Sequence, residues 1–421
     1  MTDKACPELE AVGQADIVVG IPSFNNARTI AHVVRAVCAG LAKYFPDRRG
    51  ILVNSDGGSA DGTPAVAREA AVSDYRALCI AHPLFPIHRI ITPYHGIPGK
   101  GSAIRTILEI AVRLGAKACV VVDADLRSIT PEWVDLLVSP VLREGFDFVA
   151  PLYLRHKYDG TITNSIVYPL TRALYGRRVR QPIGGDFGFS GALASHYLAG
   201  DVWHTDVARF GIDIWMTTTA IAGGYRVCQS FLGAKIHDAK DPATDLSAML
   251  TQVVGSVFAL METHHRSWAT LRGSHPVPLF GFEHAVGLEP VSVNTGRMLA
   301  RFRDAARDLR GIWERILNRR TLEGILSLAA LGDGDFRYPA DLWVRTVYDL
   351  GLAWHRASIT REHILGALTP LYLARTASFV LETADADADA VEKNLEDLCL
   401  TYEAGKPFLV EEWDANGGNR P

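Results

Sequence analysis

The sequence has few cysteines, and no two of them lie close together. The six, in a chain of 421 residues, form no CxxC pair and are Cys6, Cys38, Cys79, Cys119, Cys228 and Cys399. Most of them lie in apolar runs, which is typical of reduced cysteines in the core of a cytosolic protein. We therefore expect free, buried thiols and a cytoplasmic location.

Targeting and membrane-spanning segments are also lacking. The amino terminus, MTDKACPELE, has no apolar stretch after a basic one, so no signal peptide is expected. No uninterrupted apolar run is long enough to span a bilayer. This argues against the membrane-embedded sugar transferases, and no membrane partner is predicted.

Basic charge is not concentrated anywhere in the chain. The formal net charge is −4, and basic residues are scattered apart from short runs at 176–180 and 318–320. A nucleic-acid partner is therefore not expected. With 48% hydrophobic and 21% charged residues, the composition is that of an ordinary globular protein. Its length predicts a main domain and a second lobe.

Two common nucleotide-binding loops are missing. In HGIPGKGSAI, Gly101 separates Lys100 from Ser102, so the spacing of a Walker A loop fails. No GxGxxG follows the first predicted strand either. Kinase-type use of ATP and dinucleotide binding are both disfavoured.

The pattern that is present predicts an α/β fold. From residue 16 to 149, short β-branched runs such as DIVVGIPSF, GILVNSD and KACVVVDADL alternate with longer helical patterns, as in βαβ units with a mainly parallel sheet. Beyond residue 241 the apolar residues recur at helical spacing. We predict an extension at 1–15, a catalytic domain at 16–241 and a helical lobe at 242–421. The lobe's tryptophans (Trp268, Trp313, Trp343, Trp354) are expected in its core.

A buried apolar run ends on two acids, in VVVDADLRS. Asp123 and Asp125 are two residues apart, so in an extended chain both carboxylates would point to one side, just past the strand end. Such a pair is tolerable in solvent or with a cation between the acids. Open α/β sheets bind ligands at this edge, and Mg²⁺ or Mn²⁺ needs only one or two carboxylates when substrate phosphates complete its ligand shell. The context favours the metal site over a solvated loop.

Four other polar residues are candidates for the site, and three of them also have a structural explanation. Lys100, at a glycine-rich helix start, suits a phosphate. Asp56 follows a strand, where it would contact a base or ribose, or form an Asx-type turn. His237 would complete a carboxylate metal site, or be structural. Asp213 begins a helical run, where a negative charge is favoured in any case.

The order of motifs resembles a known family. IPSF, NSDGGSADGT, PGKG, DADLRSITPEW, QPIGGDFG, FGIDIW and GAKIH, between residues 16 and 265, resemble the nucleotide-sugar-dependent glycosyltransferases of GT-A fold. Within them, the set resembles the enzymes that attach a hexose to glycerate or phosphoglycerate. The resemblance implies an α/β GT-A fold with a helical carboxyl-terminal lobe, a divalent cation and a nucleotide diphosphate hexose as donor.

The resemblance also implies roles for individual residues. Pro22 and Phe24 would line the nucleotide pocket, Asp56 and Lys100 would contact base and phosphate, and Asp123 and Ala124 would face the nucleotide sugar. Asp123, Asp125 and His237 look like the metal ligands. Gly184, Gly185 and Asp186 resemble the loop beneath the donor sugar, although the family more often has GGE there. Asp213 resembles the acid beside the reacting centre, and Asp186 and Asp213 are the two predicted catalytic residues.

The acceptor prediction depends on LYLRHKYDGTITNS. The phosphoglycerate enzymes carry a phosphate-binding arginine where this chain has Thr161, and an asparagine where it has Ala239. A threonine hydroxyl offers neither charge nor bidentate geometry to a phosphate. Arg155 and Thr163, eight residues apart, match the pair with which the mannosylglycerate type binds a carboxylate and a hydroxyl. We therefore predict D-glycerate, or a close analogue, as acceptor.

The resulting prediction is a metal-dependent hexosyltransferase that retains the anomeric configuration of its donor. Three alternatives stay open: a glucosyl-3-phosphoglycerate synthase, an inverting family 2 type transferase with Asp213 as base, and a non-catalytic nucleotide-sugar sensor. The complete set of acids, Lys100 and His237 argues against the sensor. The donor base (GDP or UDP), the hexose (glucose or mannose) and a homodimeric state are left open.

Overall fold

The computed structural model describes residues 9–10, 12–78, 88–93, 99–236, 247–284 and 286–415, with 71–78 and 88–93 described by their backbone alone. Two compact units are distinguished. Unit 1 comprises Met1–Arg155, Val179–Asp238 and Val277–Glu289, and unit 2 comprises His156–Arg178, Ala239–Pro276 and Pro290–Pro421. The predicted boundary at 241/242 lies outside the described residues, and the segment His156–Arg178, which we had assigned to the catalytic domain, belongs to unit 2.

The strands, in chain order, are β1 Ile17–Ser23, β2 Gly50–Asp56, β3 His88–Pro93, β4 Ala118–Val121, β5 Phe148–Leu154, β6 Arg177–Arg178, β7 Phe187–Ser190, β8 Val227–Ala234, β9 His275–Pro276 and β10 Leu279–Phe280. The helices of unit 1 and the first of unit 2 are α1 Ile30–Tyr44, α2 Thr63–Leu78, α3 Lys100–Arg113, α4 Glu132–Leu142, α5 Tyr168–Tyr175, α6 Gly191–Leu198 and α7 Ile212–Ala222. The remaining helices are α8 Ser247–Thr263, α9 His265–Trp268, α10 Thr295–Asp308, α11 Arg310–Ile316, α12 Arg319–Ala329, α13 Ala340–Arg356, α14 Arg361–Glu382 and α15 Ala388–Asp414.

Unit 1 is built on one sheet of eight strands, in the order β10-β8-β5-β7-β4-β1-β2-β3. Every neighbouring pair is parallel except those of β7, which runs antiparallel to both β4 and β5. The mainly parallel sheet predicted from the sequence is therefore confirmed. The antiparallel strand matters for the site, because its first residue lies at the same edge as the last residues of its neighbours.

The central strands are apolar throughout because they are covered on both faces. β1 and β4 are buried along their whole length. Helix α1 presents a stripe of apolar residues, including Val33 and Val37, to a core that it shares with Leu137 and Val138 of α4. A strand with two covered faces reads as a continuous hydrophobic run, which explains the β-branched segments of the sequence.

Unit 2 is helical apart from β6, β9 and a π-helical turn at Thr163–Val167. The four tryptophans predicted to fill its core are buried. The acidic run before α15 starts that helix, since Asp387 caps it by accepting a hydrogen bond from the amide of Ala390 at 2.8 Å. The four cysteines within the described residues are buried free thiols, which confirms the prediction for them: Cys38, Cys119, Cys228 and Cys399.

One helix is long and apolar on average, although it is not an uninterrupted apolar run. Among the described residues, α14 has the length and the apolar composition that a membrane span requires. Pro370 and Arg375 interrupt its apolar residues in the sequence. In the structure 72% of its most apolar window is buried inside the chain, which is the burial of a core helix.

Candidate active site

Four neighbouring strands bring a polar cluster to one edge of the sheet. Asp123 follows β4, Tyr153 lies near the end of β5, and Lys235 follows β8. Asp186 precedes β7, whose first residue, Phe187, pairs with the last residue of β4. Because β7 is antiparallel, its start meets the carboxyl ends of its neighbours. The cluster thus occupies the edge at which open α/β sheets bind ligands.

Lys235 is the cation of this cluster that the sequence analysis did not identify. Its ammonium donates to Oδ2 of Asp123 and to Oδ2 of Asp186, both at 2.8 Å, and to the carbonyl of Gly184 at 2.7 Å. The side chain is only 4% exposed. Burial lowers the pKa of Lys235, but the two carboxylates more than offset this, so its pKa is raised and the amine stays charged. The rule applied to Asp123, a polar residue directly after a buried strand, would have found it.

Asp186 is the most buried member of the cluster. Its Oδ1 accepts the backbone N–H of Asp123 at 2.8 Å, and its Oδ2 accepts the hydroxyl of Tyr153 as well as Lys235. The residue has no solvent-exposed surface. Burial raises the pKa of Asp186, against the opposing effect of Lys235. Both carboxylate oxygens of Asp186 are paired with other groups of the protein. Direct contact between Asp186 and a sugar therefore stays a prediction, and these contacts do not favour it.

Lys100 forms the second cationic contact with Asp123. Its ammonium lies 2.7 Å from Oδ1 of Asp123 and 3.1 Å from Oδ2 of Asp213. Burial lowers the pKa of Lys100, and the acids, Asp123 first, raise it further than burial lowers it. For Asp123 burial acts in the other direction, yet the two lysines hold the pKa of this carboxyl well below its usual range. Asp123 is thus ionised and held by two ammonium groups.

Two glycines allow these contacts. A Cβ on Gly101 would lie 1.9 Å from the carbonyl oxygen of Val207, so only glycine lets the start of α3 pack on that backbone and direct Lys100 toward α7. Gly185 has a φ of +90°, and a Cβ there would lie 2.4 Å from Oδ2 of Asp123. The GGD loop can therefore cross the Asp123 carboxylate only with a glycine at this position.

Asp213 lies at the first turn of α7, as predicted. One of its oxygens pairs with Lys100, and the other, Oδ1, is buried with no hydrogen-bond partner among the described residues. Burial raises the pKa of Asp213, and Lys100 lowers it by less. This carboxylate therefore has one oxygen that is not used by the described part of the chain and a raised proton affinity.

The predicted metal ligands are only partly described. Strand β4 ends at Val121, and Asp125 lies in a turn, so the argument that both acids point the same way in an extended chain does not hold. Asp125 forms no hydrogen bond or ion pair within the described part of the chain, and its carboxylate suits a hard cation. His237 lies outside the described residues. Among those described, no three acids, histidines or cysteines form a ready metal cage.

The predicted nucleoside contacts give a mixed result. The carboxylate of Asp56 is occupied by its own loop: it accepts the amides of Gly58 and Ser59 at 2.9 and 2.8 Å and the hydroxyls of Ser23 and Ser59. This is the Asx-type turn considered as the alternative. Pro22 is buried in β1, whereas Phe24 is 61% exposed at the end of that strand. The exposed ring remains the better candidate for contact with a base.

The predicted acceptor residues belong to different units. Arg155, the last residue of unit 1's first segment, lies over the ring of Tyr153 at 5.3 Å from its centroid. Thr163 begins the π-helical turn of unit 2. Thr161 is buried, and its hydroxyl is paired with that of Tyr372 at 2.5 Å. Thr161, at the position of the phosphate-binding arginine, therefore already has a hydrogen-bond partner within the protein.

Part of the sheet that carries this cluster matches a known protein family. Residues 18–199 match the family model described as Glycosyl transferase family 2. This match covers less than half of the chain and ends before Asp213 and Lys235, so the region 18–199 is similar to family 2 glycosyltransferases. The predicted α/β fold of GT-A type, with a helical carboxyl-terminal part, is confirmed. A comparison with curated proteins gives no match.

Solved structures similar to this chain include several of glucosyl-3-phosphoglycerate synthase from Mycobacterium tuberculosis. Its complex with phosphoglyceric acid has 21% identity and a TM-score of 0.43, over 62% of this chain and 84% of that one. The complex with Mg²⁺ and uridine diphosphate has 24% identity and a TM-score of 0.44, over 60% and 82%. The complex with Mn²⁺, UDP-glucose and phosphoglyceric acid has 23% identity and a TM-score of 0.44, over 61% and 83%.

The cluster forms a charged site at the ligand-binding edge of the sheet. Lys100 and Lys235 supply two buried positive charges, which is what a leaving diphosphate requires. The four nearby acids (Asp123, Asp125, Asp186, Asp213) outnumber these lysines by two in formal charge. An additional cation would therefore be needed before a diphosphate could bind here without net repulsion.

Proposed function

We propose that the protein transfers a hexose from a nucleotide diphosphate sugar to a small carboxylate acceptor, D-glycerate or a close analogue, in a reaction that depends on Mg²⁺ or Mn²⁺. The observation that carries this proposal is the pairing of Asp123 with both Lys100 and Lys235 at the carboxyl edge of the sheet, where Lys100 and Asp123 belong to the region that matches the family 2 glycosyltransferase model. The positive charges of Lys100 and Lys235 suit a phosphate group better than a neutral ligand.

The divalent cation would be held by Asp125, with His237 and donor oxygens as further ligands. Asp125 suits this role because its carboxylate has no partner among the described groups, whereas both oxygens of Asp123 are already paired with ammonium groups. Such a cation stabilises negative charge on the departing diphosphate. Lys100 and Lys235 act on the same charge from the protein side. Asp123 orients both lysines toward it.

The acceptor is proposed from Arg155 and Thr161. A guanidinium binds a carboxylate through a charge-assisted, bidentate contact, and Arg155 is the candidate for it. The hydroxyl of Thr161 is already paired with Tyr372, so that position offers nothing to an acceptor phosphate. This supports glycerate over phosphoglycerate. We also propose a cytoplasmic enzyme that needs no membrane or nucleic acid.

Retention of the anomeric configuration is the proposed outcome, with Asp213 orienting groups at the reacting centre. One observation favours an inverting reaction as the second candidate. The unpartnered Oδ1 of Asp213, together with its raised pKa, is what a general base for the acceptor hydroxyl would need. An α-linked donor then distinguishes the two, because retention gives an α-linked product and inversion a β-linked one.

A matrix of donors and acceptors tests the proposal. GDP- and UDP-linked glucose and mannose would each be incubated with D-glycerate and with 3-phosphoglycerate, with Mn²⁺ or with EDTA, and products read by proton NMR. We expect one donor to give a glycosylglycerate only with the metal. Better turnover of 3-phosphoglycerate than of D-glycerate would overturn the acceptor assignment. Full transfer in EDTA would overturn the metal dependence. Donor binding with neither transfer nor donor hydrolysis would favour the non-catalytic sensor.

A further inference from the structure

Tyr153, near the end of β5, touches charged groups through both its hydroxyl and its ring. The hydroxyl donates to Oδ2 of Asp186. The ring centroid lies 5.1 Å from the ammonium nitrogen of Lys235 and 5.3 Å from the guanidinium carbon of Arg155. The ring also packs against Trp133 at 5.5 Å, and the residue is buried. One rigid side chain is thus in contact with the carboxylate cluster and with the proposed acceptor arginine.

The hydroxyl acts on the donor side of the site through Asp186. That carboxylate holds the backbone amide of Asp123 with one oxygen and Lys235 with the other. A carboxylate with no exposed surface depends on its donors for its orientation, because no water replaces a lost one. Removing the hydroxyl therefore loosens Asp186 and, with it, both groups that Asp186 positions.

The ring acts on the acceptor side. A guanidinium over an aromatic face is attracted by the ring quadrupole and is restricted in the directions it can take. This contact involves only the face of the Tyr153 ring, so it persists when tyrosine is replaced by phenylalanine and is lost when it is replaced by leucine. The two parts of the side chain can therefore be tested separately.

We propose that Tyr153 is a positioning residue that fixes the Asp123 cluster and Arg155 relative to each other. Its hydroxyl acts through Asp186, and its ring acts on Arg155. This inference rests on the proposed function, because that function assigns the acceptor to Arg155 and the donor to the Asp123 cluster. Tyr153 itself does not touch the reacting atoms. No proton is transferred by it.

Steady-state kinetics, with each substrate varied in turn, tests whether the hydroxyl acts on the donor side and the ring on the acceptor side. Tyr153→Phe should lower kcat/KM for the donor about 10- to 100-fold, as loss of a hydrogen bond to a charged group does, and leave the acceptor KM unchanged. Tyr153→Leu should in addition raise the acceptor KM. The matched control is Tyr197→Phe, because Tyr197 is another fully buried tyrosine of unit 1 whose hydroxyl donates to the carbonyl of Met216. This control should leave both substrates' parameters near the wild-type values.

A compensating pair gives a second test. The space beside Oδ2 of Asp186 is filled by the Tyr153 hydroxyl, so Asp186→Glu alone adds a methylene where there is no room. In the double variant Tyr153→Phe, Asp186→Glu, the removed hydroxyl makes that room. We expect the double variant to have a donor kcat/KM at least about tenfold above that of Asp186→Glu alone. A merely additive loss would count against a direct packing and hydrogen-bond relationship.

Lysine labelling tests the same inference without any substrate. Acetylation by acetic anhydride, followed by peptide mass spectrometry, should modify Lys235 severalfold faster in Tyr153→Phe than in the wild type, with the exposed Lys117 as internal standard. A wild type that transfers no sugar would refute the proposed function and leave this readout valid. Unchanged labelling of Lys235, or an unchanged donor kcat/KM in an active Tyr153→Phe enzyme, would refute the positioning role.

Discussion

The ammonium of Lys235 lies 2.8 Å from Oδ2 of Asp123, so the first acid of the DAD motif is paired with a cation of the protein. Lys100 pairs with the other oxygen of the same carboxylate at 2.7 Å. The charged side chains at this edge of the sheet are therefore held in place by one another, without a diphosphate. The two lysines are the groups on which donor binding should depend most strongly.

We expect Lys235→Met to reduce transfer at least about 100-fold, because it removes a buried charge placed to act on the leaving diphosphate. It also leaves Asp186 without its ion-pair partner and Asp123 with Lys100 alone. Breaking a buried ion pair in this way costs about 3–5 kcal/mol of unfolding free energy, so urea unfolding must be measured beside activity. Lys235→Arg keeps the charge and should retain more activity than Lys235→Met. Lys117→Met removes an exposed ion pair and is the control for charge alone.

The second prediction concerns the metal. Asp125→Ala should raise the Mn²⁺ concentration needed for half-maximal rate about 10- to 100-fold, because a cation loses a carboxylate ligand. The fold should be unaffected, since Asp125 lies in a partly exposed turn and not in the core. Initial rates against Mn²⁺ concentration provide the measurement. Asp201→Ala, at a carboxylate that is 99% exposed, is the control, and equal Mn²⁺ curves for both variants would contradict the assignment.

The third prediction separates steric contact from backbone strain in the GGD loop. Gly185→Ala adds a Cβ at a φ of +90° and 2.4 Å from Oδ2 of Asp123, so the loop or the carboxylate must move. Gly224→Ala has a similar φ of +75° with no atom within 4 Å of the added Cβ. Both variants should lose about 1–2 kcal/mol of unfolding free energy from strain. Only Gly185→Ala should also lose donor binding, measured by calorimetry; equal binding in the two would refute the close approach.

The fold was predictable from the sequence because its signals are local. Continuous apolar runs of four to eight residues mark the covered strands, and amphipathic spacing marks the helices. Asp123 and Lys100 were recognised as polar residues directly after a strand and at a helix start. Their contact with each other was not predicted, because no local pattern states which strand neighbours which.

The rest of the cluster depends on the antiparallel strand β7. A sequence that alternates strands and helices predicts parallel neighbours, and nothing in FGFS marks the reversed direction. Only that reversal brings Asp186 beside Asp123, and with it Tyr153 and Lys235. Lys235 was not predicted, because in GAKIH it is the histidine two residues later that resembles a metal ligand. Asp56 was ambiguous for a different reason, since a carboxylate after a strand serves a turn and a ligand equally well.

The fourth prediction concerns the acceptor. Arg155→Ala should raise the KM of the carboxylate acceptor about 30- to 1000-fold with little change in donor affinity, because a charge-assisted, bidentate contact is lost. The control is Arg143→Ala, since Arg143 also lies over an aromatic ring, that of Phe45, at 5.7 Å. Kinetics with glycerate varied at saturating donor provide the measurement. An acceptor KM unchanged in Arg155→Ala would mean that another group binds the carboxylate.

The fifth prediction concerns unit 2, where Lys406 of α15 is buried. Its ammonium donates to the carbonyls of Ala173 and Leu174, at the end of α5, and to that of Leu271, at 2.8, 3.2 and 2.9 Å. Burial, together with the nearby positive charge of Arg272, lowers the pKa of Lys406 from 10.5 to about 8. The three carbonyls satisfy the amine but do not neutralise its charge.

This lowered pKa makes the unfolding free energy depend on pH. Between pH 8 and pH 10.5 the folded protein releases the Lys406 proton while the unfolded chain keeps it, so the unfolded state binds more protons and stability rises with pH. The full rise corresponds to about 3 kcal/mol, at about 1.4 kcal/mol for each unit of pKa shift. Urea unfolding at pH 7.5, 8.5 and 9.5 should show this contribution in the wild type and not in Lys406→Met.

The control for this measurement is Lys393→Met, on the same helix. Lys393 is exposed and pairs with Asp397 four residues away, so its removal should leave the pH dependence as it is in the wild type. At pH 7.5, Lys406→Met should also lose about 1–3 kcal/mol, because carbonyls at the end of α5 lose their donor. If Lys406→Met and Lys393→Met show the same slope of stability with pH, burial does not lower the proton affinity of Lys406, and its three carbonyl contacts hold it fully charged.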